Sequence, residues 1–277
     1  MNDYDIDLSL EFLKAHPLDA ARVLEQIPIH DAASFLERVP ADIAANIIRM
    51  MDSLTMIRCF ELMGPDTIAA IIEKSPLEIA SMTLRKMESA LQDSVMKTVS
   101  PEILEPLKLM LRFPEGTAGA LMDPRYFVVP QDIHVKEAIR GVRYHLKQNT
   151  SYIYVVNRDH VLAGFINMHE MLHLDPKTII STIVHADIWK LSAHSDRQAI
   201  LMNPGWREFH SLPVVDEKGI FLGAIDYQTI RRLEQEIIKP PHQSPLNETA
   251  AAMGELFWVG FSGLVKGAAS ALSRLQE

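Results

Sequence analysis

A ten-residue stretch recurs once in this chain without a gap. Val155-Val156-Asn157-Arg158-Asp159-His160-Val161-Leu162-Ala163-Gly164 aligns with Val214-Val215-Asp216-Glu217-Lys218-Gly219-Ile220-Phe221-Leu222-Gly223, every pair 59 positions apart. A constant offset across an apolar run, a polar turn and a second apolar run means that one supersecondary unit occurs twice. A chain built this way pairs two like units around a cleft. Each copy reads as an apolar strand (152–156; 212–215), a polar turn, and a second strand carrying one glycine (161–166; 220–225). Both second strands run into a helical pattern, 169–174 and 227–238. Upstream lie an extended piece and a helix, 126–129 then 135–146 in the first copy, 188–191 then 196–202 in the second. The unit is β-α-β-β-α, long enough to cover one face of a small sheet with helices.

Ahead of the duplication, prolines at 17, 28, 40, 65 and 76 each open a short apolar-periodic piece, the first three separated by steps of 11 and 12. Proline suits the first helical turn because its missing N–H would be unpaired there anyway. The spacing predicts an α-solenoid whose stacked short helices bury a ridge of Leu, Ile, Val and Met. Most of the chain's 14 methionines are then core filling.

The strand-turn grammar, with Pro213-Val214-Val215-Asp216 leading to Gly219 and Gly223, resembles a cystathionine-β-synthase-type (CBS) domain in its tandem form. Arg112-Phe113-Pro114-Glu115-Gly116-Thr117-Ala118-Gly119-Ala120-Leu121-Met122 is similar to the segment entering the CBS pair of MgtE-type magnesium transporters. Ala163 to Leu172, with Asp175-Pro176, resembles that family's first CBS domain. The resemblance covers about residues 5 to 245 and implies an α+β multidomain chain. Its parts are a helical MgtE N-terminal-like domain over 1–112, CBS domains over 113–181 and 182–238, a proline-rich linker over 239–248 and an amphipathic helix over 249–277. It also implies a homodimer formed through the CBS pair.

Composition narrows the class. The chain has 277 residues, 48% hydrophobic and 23% charged, enough for two domains. Its net charge of −9 argues against general nucleic-acid binding. The lone Cys59 excludes an internal disulfide, and Met1 to Asp7 is acidic where a secretory leader would be basic, so a cytoplasmic location is expected. The apolar run Leu256 to Val265 is too short to span hydrocarbon, so the transporter family's membrane domain is expected to be absent from this polypeptide.

The resemblance also supplies candidate sites. Magnesium sensing in this family uses carboxylates from the leader, the second CBS domain and the helix after it. The pattern is kept at Asp196 and, as glutamate for aspartate, at Glu208; it is broken at Gly116, Gln228, Thr229 and Ile237 to Pro241, so magnesium binding is expected to be weak. CBS pairs hold adenosine compounds through a Ser or Thr after the second strand and an Asp three residues later. The matching positions are Asn167 and Glu170 in the first repeat, and Asp226 and Thr229 in the second. An adenine nucleotide is therefore expected at the Asn167/Glu170 repeat, where an amide and a carboxylate can hydrogen-bond ribose hydroxyls.

His169-Glu170-Met171-Leu172-His173 spells a zincin motif, but it falls on the short helix closing a CBS repeat and is given no catalytic role. Beyond the linker, Phe257, Trp258, Phe261, Leu264 and Val265 lie on one apolar stripe of a helix. That stripe could fold back on the protein, lie in a membrane interface or dock on a membrane transporter. These features give a non-enzymatic regulatory protein that senses an adenine nucleotide or divalent cation and modulates a partner, in magnesium transport. The alternative is a constitutive scaffold with degenerate sites.

Overall fold

The computed structural model describes residues 10–145 and 152–238. After a helical turn over 10–15, eight helices follow: α1 (Pro17–Gln26), α2 (Ile29–Arg38), α3 (Ala41–Ile48), α4 (Ser53–Phe60), α5 (Pro65–Lys74), α6 (Leu77–Lys86), α7 (Ser89–Thr98) and α8 (Pro101–Leu111). Helices two apart in sequence pack together, α1 on α3 on α5 on α7 in one layer, α2 on α4 and α6 on α8 in the other. Pro17 and Pro65 occupy the first helical turn, while Pro28, Pro40 and Pro76 stand one residue earlier, at the N-cap.

The repeat beneath this stack is 12 residues long. Positions 20, 32, 44, 56, 68 and 80 are Ala, Ala, Ala, Met, Ile and Ala; the next positions are Ala, Ala, Ala, Ile, Ala and Ser; three further on come Leu24, Leu36, Ile48, Phe60, Ile72 and Leu84. Nearly all are buried. Small residues let neighbouring backbones approach, and the large residue fills the layer beneath. Glutamates tie successive turns of the solenoid: Glu25 accepts the Asp52 N–H at 2.7 Å, Glu37 the Gly64 N–H at 3.0 Å and Glu73 the Ser100 N–H at 2.6 Å, each across 27 residues. These N–H groups lie at N-caps, where the helix offers no partner of its own. In this rhythm Arg49 falls opposite Pro76, which has no N–H to offer. Arg85 reverses the polarity and donates to the Met110 and Phe113 carbonyls at 2.7 and 2.6 Å. Buried Cys59 lies in α4, where burial pushes its thiol up to about 11.

The duplicated half forms two like sheets. In the first, β1 (Val128–Pro130) pairs parallel with β2 (Tyr152–Val156), which pairs antiparallel with β3 (Leu162–Asn167). In the second, β4 (Leu191–Ser192), β5 (Ser211–Val215) and β6 (Phe221–Asp226) repeat that order, even to a register shift at the equivalent place, Val155/Val156 and Val214/Val215. The helices are α9 (Ala118–Leu121), α10 (Val135–His145), α11 (Met168–Met171), α12 (Arg197–Leu201) and α13 (Tyr227–Ile238). Val161 forms an antiparallel bridge with Ile220, its own counterpart, so a local two-fold axis passes between the hairpins.

The segments leading into the two repeats cross over. Asp123 pairs with Ala224 of the second repeat, and His185 with Phe165 of the first. Glycine permits both crossings: a Cβ on Gly164 would stand 2.2 Å from the His185 carbonyl oxygen, and one on Gly223 2.6 Å from that of Asp123. The short helix α9, though it precedes the first repeat in sequence, packs in the core of the second. Ala118 and Gly119 donate to the carbonyls of Ser195 and Ala193 at 2.9 and 2.8 Å, and Leu121 and Met122 join Leu191, Leu212, Ile225 and Ile230. Phe113, at the end of the solenoid, packs on the same core.

Candidate functional site

The crossing leaders set the last strand of each repeat against the leader of the other, which defines two related candidate sites. In the first, β3 delivers Asn167 and α11 delivers Glu170. The Asn167 side-chain oxygen caps α11 by accepting the His169 N–H at 2.9 Å, which leaves its amide nitrogen as the donor for a ligand. Glu170 Oε2 meets His185 Nε2 at 2.9 Å, with both side chains about half exposed. Aromatic surface is at hand: the ring of Phe165 lies 5.2 Å from that of His185 and 5.5 Å from that of Tyr152.

The second cleft is built from equivalent backbone but filled differently. Asp226, at the end of β6, accepts the phenol of Tyr126 from the leader of the first repeat. The Tyr154 hydroxyl meets Ser211 Oγ at 2.7 Å, joining β2 to β5 across the repeats. Tyr126, Tyr154, Phe221 and Ala224 pack into one cluster between the sheets. Burial raises the pKa of both phenols, and the Asp226 carboxylate raises them further, so each stays protonated. Thr229 is buried in α13. Asp226 is thus already engaged by a tyrosine of the same chain.

The candidate magnesium carboxylates have other surroundings. Asp196 is exposed and caps α12, accepting the Ala199 N–H at 2.8 Å, and Glu208 is exposed just after the 3-10 turn Pro204–Arg207. Among the described residues no group of three His, Cys, Asp or Glu side chains converges as a metal site. In the zincin-like run, His173 Nδ1 donates to the His169 carbonyl at 2.8 Å, and Glu170 turns to His185. Phe257, Trp258, Phe261, Leu264 and Val265 lie outside the described residues. The sequence singled out Asn167, Glu170 and Asp226 as candidates, and the structure sets Tyr126, Tyr154, Ser211 and His185 around them; in sequence these four showed only as members of strands or leaders flanking the duplicated motif.

Comparison with known proteins gives this architecture a family context. The model of the MgtE intracellular N domain matches residues 15–116, and that of the CBS domain matches residues 118–177. The magnesium transporter MgtE of Thermus thermophilus is 26% identical over 148 residues, covering 52% of this chain and 33% of the relative. The chain thus spans about a third of the length of the curated relatives it matches. Among solved structures, the cytosolic domain of the Mg2+ channel MgtE in complex with ATP superposes with a TM-score of 0.69 at 23% identity, covering 81% of this chain and 93% of that one. The soluble part of a magnesium transporter gives 0.64 at 18% identity, covering 86% and 99%. Among the described residues no helix is long and apolar enough to cross a membrane.

Proposed function

We propose a role for a chain built as the cytosolic part of an MgtE-type magnesium transporter, an MgtE intracellular N domain followed by a CBS pair: it is a non-catalytic regulator that binds an adenine nucleotide in the first cleft and modulates a partner in magnesium transport. The observation that carries this reading is the difference between the clefts. The Asn167/Glu170 cleft presents an amide and a carboxylate at a half-exposed surface beside Phe165, whereas Asp226 is already hydrogen-bonded to Tyr126 in a packed aromatic cluster. Crystallisation of the similar MgtE cytosolic domain with ATP supports the same ligand class. Divalent-cation sensing is the weaker form of the reading, because Asp196 is engaged in capping a helix. The protein acts in the cytoplasm as a homodimer through the CBS pair, and its C-terminal stripe at Phe257, Trp258, Phe261, Leu264 and Val265 docks on a membrane or a membrane transporter.

The test is the melting temperature of the full chain with AMP, ADP, ATP and magnesium, supported by calorimetry. One nucleotide is expected to raise it, and the rise should vanish in Asn167→Ala and Glu170→Ala. Millimolar magnesium alone should stabilise by less than about 1 kcal/mol, as linkage gives for millimolar affinity. A protein indifferent to all three nucleotides would instead be a scaffold whose surfaces alone matter.

A further inference from the structure

His185 reaches the first cleft from the other repeat, and several contacts fix where it points. Its N–H donates to the Phe165 carbonyl at 2.9 Å, and the Phe165 N–H donates to its carbonyl at 3.0 Å. Gly164 admits that crossing, since any Cβ there would run into the His185 carbonyl. The imidazole leans on the Phe165 ring, with planes 32° apart, and Nε2 ends on the carboxylate of Glu170. Glu170 is held from the opposite side by α11, whose first turn Asn167 caps. The imidazole therefore uses one of the Glu170 acceptor oxygens that a ribose hydroxyl would use.

The second site shows a related contact. There too a residue of the opposite leader donates to a carboxylate, but this one is Asp226, the counterpart of Asn167, and Tyr126 reaches it inside an apolar cluster. The His185 pair is about half exposed on both sides. Polar contacts at such exposure are weak, because water competes for both partners. A ligand that offers Glu170 a hydroxyl and Phe165 an adenine face can replace this contact.

We propose that His185 is an affinity-setting residue of the first cleft, an internal competitor that nucleotide must displace from Glu170. The proposal rests on the nucleotide reading of that cleft. It makes the leader of the second repeat the part of the fold that moves when ligand enters, because His185 belongs to that segment and pairs through its backbone with β3.

The experiment is calorimetric titration of the full chain with AMP and ATP, in the unmutated protein, His185→Ala and His185→Gln. His185→Ala should bind nucleotide about threefold to tenfold tighter, and His185→Gln, which retains a donor for Glu170, should fall between. In the unmutated protein the imidazole 15N resonances of His185 should shift as AMP is added; this readout decides the matter if His185→Ala folds poorly. Equal or weaker binding by His185→Ala, or imidazole resonances unmoved by a nucleotide that does bind, would overturn the competitor role and leave the nucleotide reading standing. Absence of binding by every variant at millimolar AMP and ATP would overturn both.

Discussion

Gly164 and Gly223 show how much of this molecule turns on single atoms. Each stands where the leader of the other repeat crosses, and the space for one methyl group is occupied by a carbonyl oxygen. Gly164→Ala is expected to destabilise the protein by about 2 kcal/mol or more, because the clash is with backbone and cannot be relieved by a rotamer change. Gly223→Ala should cost a similar amount, seen as a lower urea midpoint. The two variants should differ in function: displacing the 185 crossing should alter nucleotide affinity, whereas displacing the 123 crossing should not. Equal effects on binding would mean that the clefts are not independent. The glycines were legible because they recur at a fixed offset. Tyr126 was not, since its partner Asp226 lies 100 residues away and an isolated tyrosine in a leader carries no pattern. His185 was hidden similarly; its contact with Glu170 exists only because the leaders cross, which no local periodicity encodes.

At the scale of elements, the solenoid was legible in its punctuation. Prolines at 17, 28, 40, 65 and 76 fall within a residue of true helix starts. The sharper signal is the 12-residue alternation of two small residues and one large one, obscured where Met56 and Ile68 replace alanine. Ser81 interrupts the same alternation in a different way. It stands where Ala21, Ala33, Ala45 and Ala69 stand in other turns, fully buried, with its hydroxyl unpaired among the described residues. A buried hydroxyl without a partner retains its desolvation cost. Ser81→Ala should therefore raise stability by about 1 kcal/mol in a denaturation curve, and a loss instead would mean that the hydroxyl has a partner such as a buried water. The glutamate ties at Glu25, Glu37 and Glu73 were not legible, because a carboxylate reaching an N-cap in the next turn of a superhelix looks in sequence like any exposed helix-end charge.

At the scale of the molecule, the solenoid and the second repeat share a core through α9 and Phe113, and α13 closes that core with Ile230 and Leu233. The compact unit reaches Glu236, and the chain then continues into a segment with three prolines in six positions, 240 to 245, before the apolar stripe. The described buried residues of α13, Thr229, Ile230 and Leu233, all precede that segment. A chain ending at Lys239 is expected to melt within about 2 °C of the full chain and to keep the same number of protomers per particle in light scattering. The stripe itself offers Phe257, Trp258 and Phe261, and burying aromatics of that size contributes several kcal/mol at roughly 25 cal/mol per Å². That suffices for reversible attachment to a bilayer surface or to a membrane protein. In flotation with vesicles or native membranes, the full chain should rise in part with the lipid fraction and the shortened chain should stay below. If the stripe docks as proposed, Trp258→Glu with Phe261→Glu should release the full chain without lowering its melting temperature. If that pair of changes instead lowers stability by more than about 2 kcal/mol or changes the number of protomers per particle, the stripe is part of the folded body. The proposed regulation of a membrane partner would then have to pass through the surfaces of the CBS pair and the solenoid.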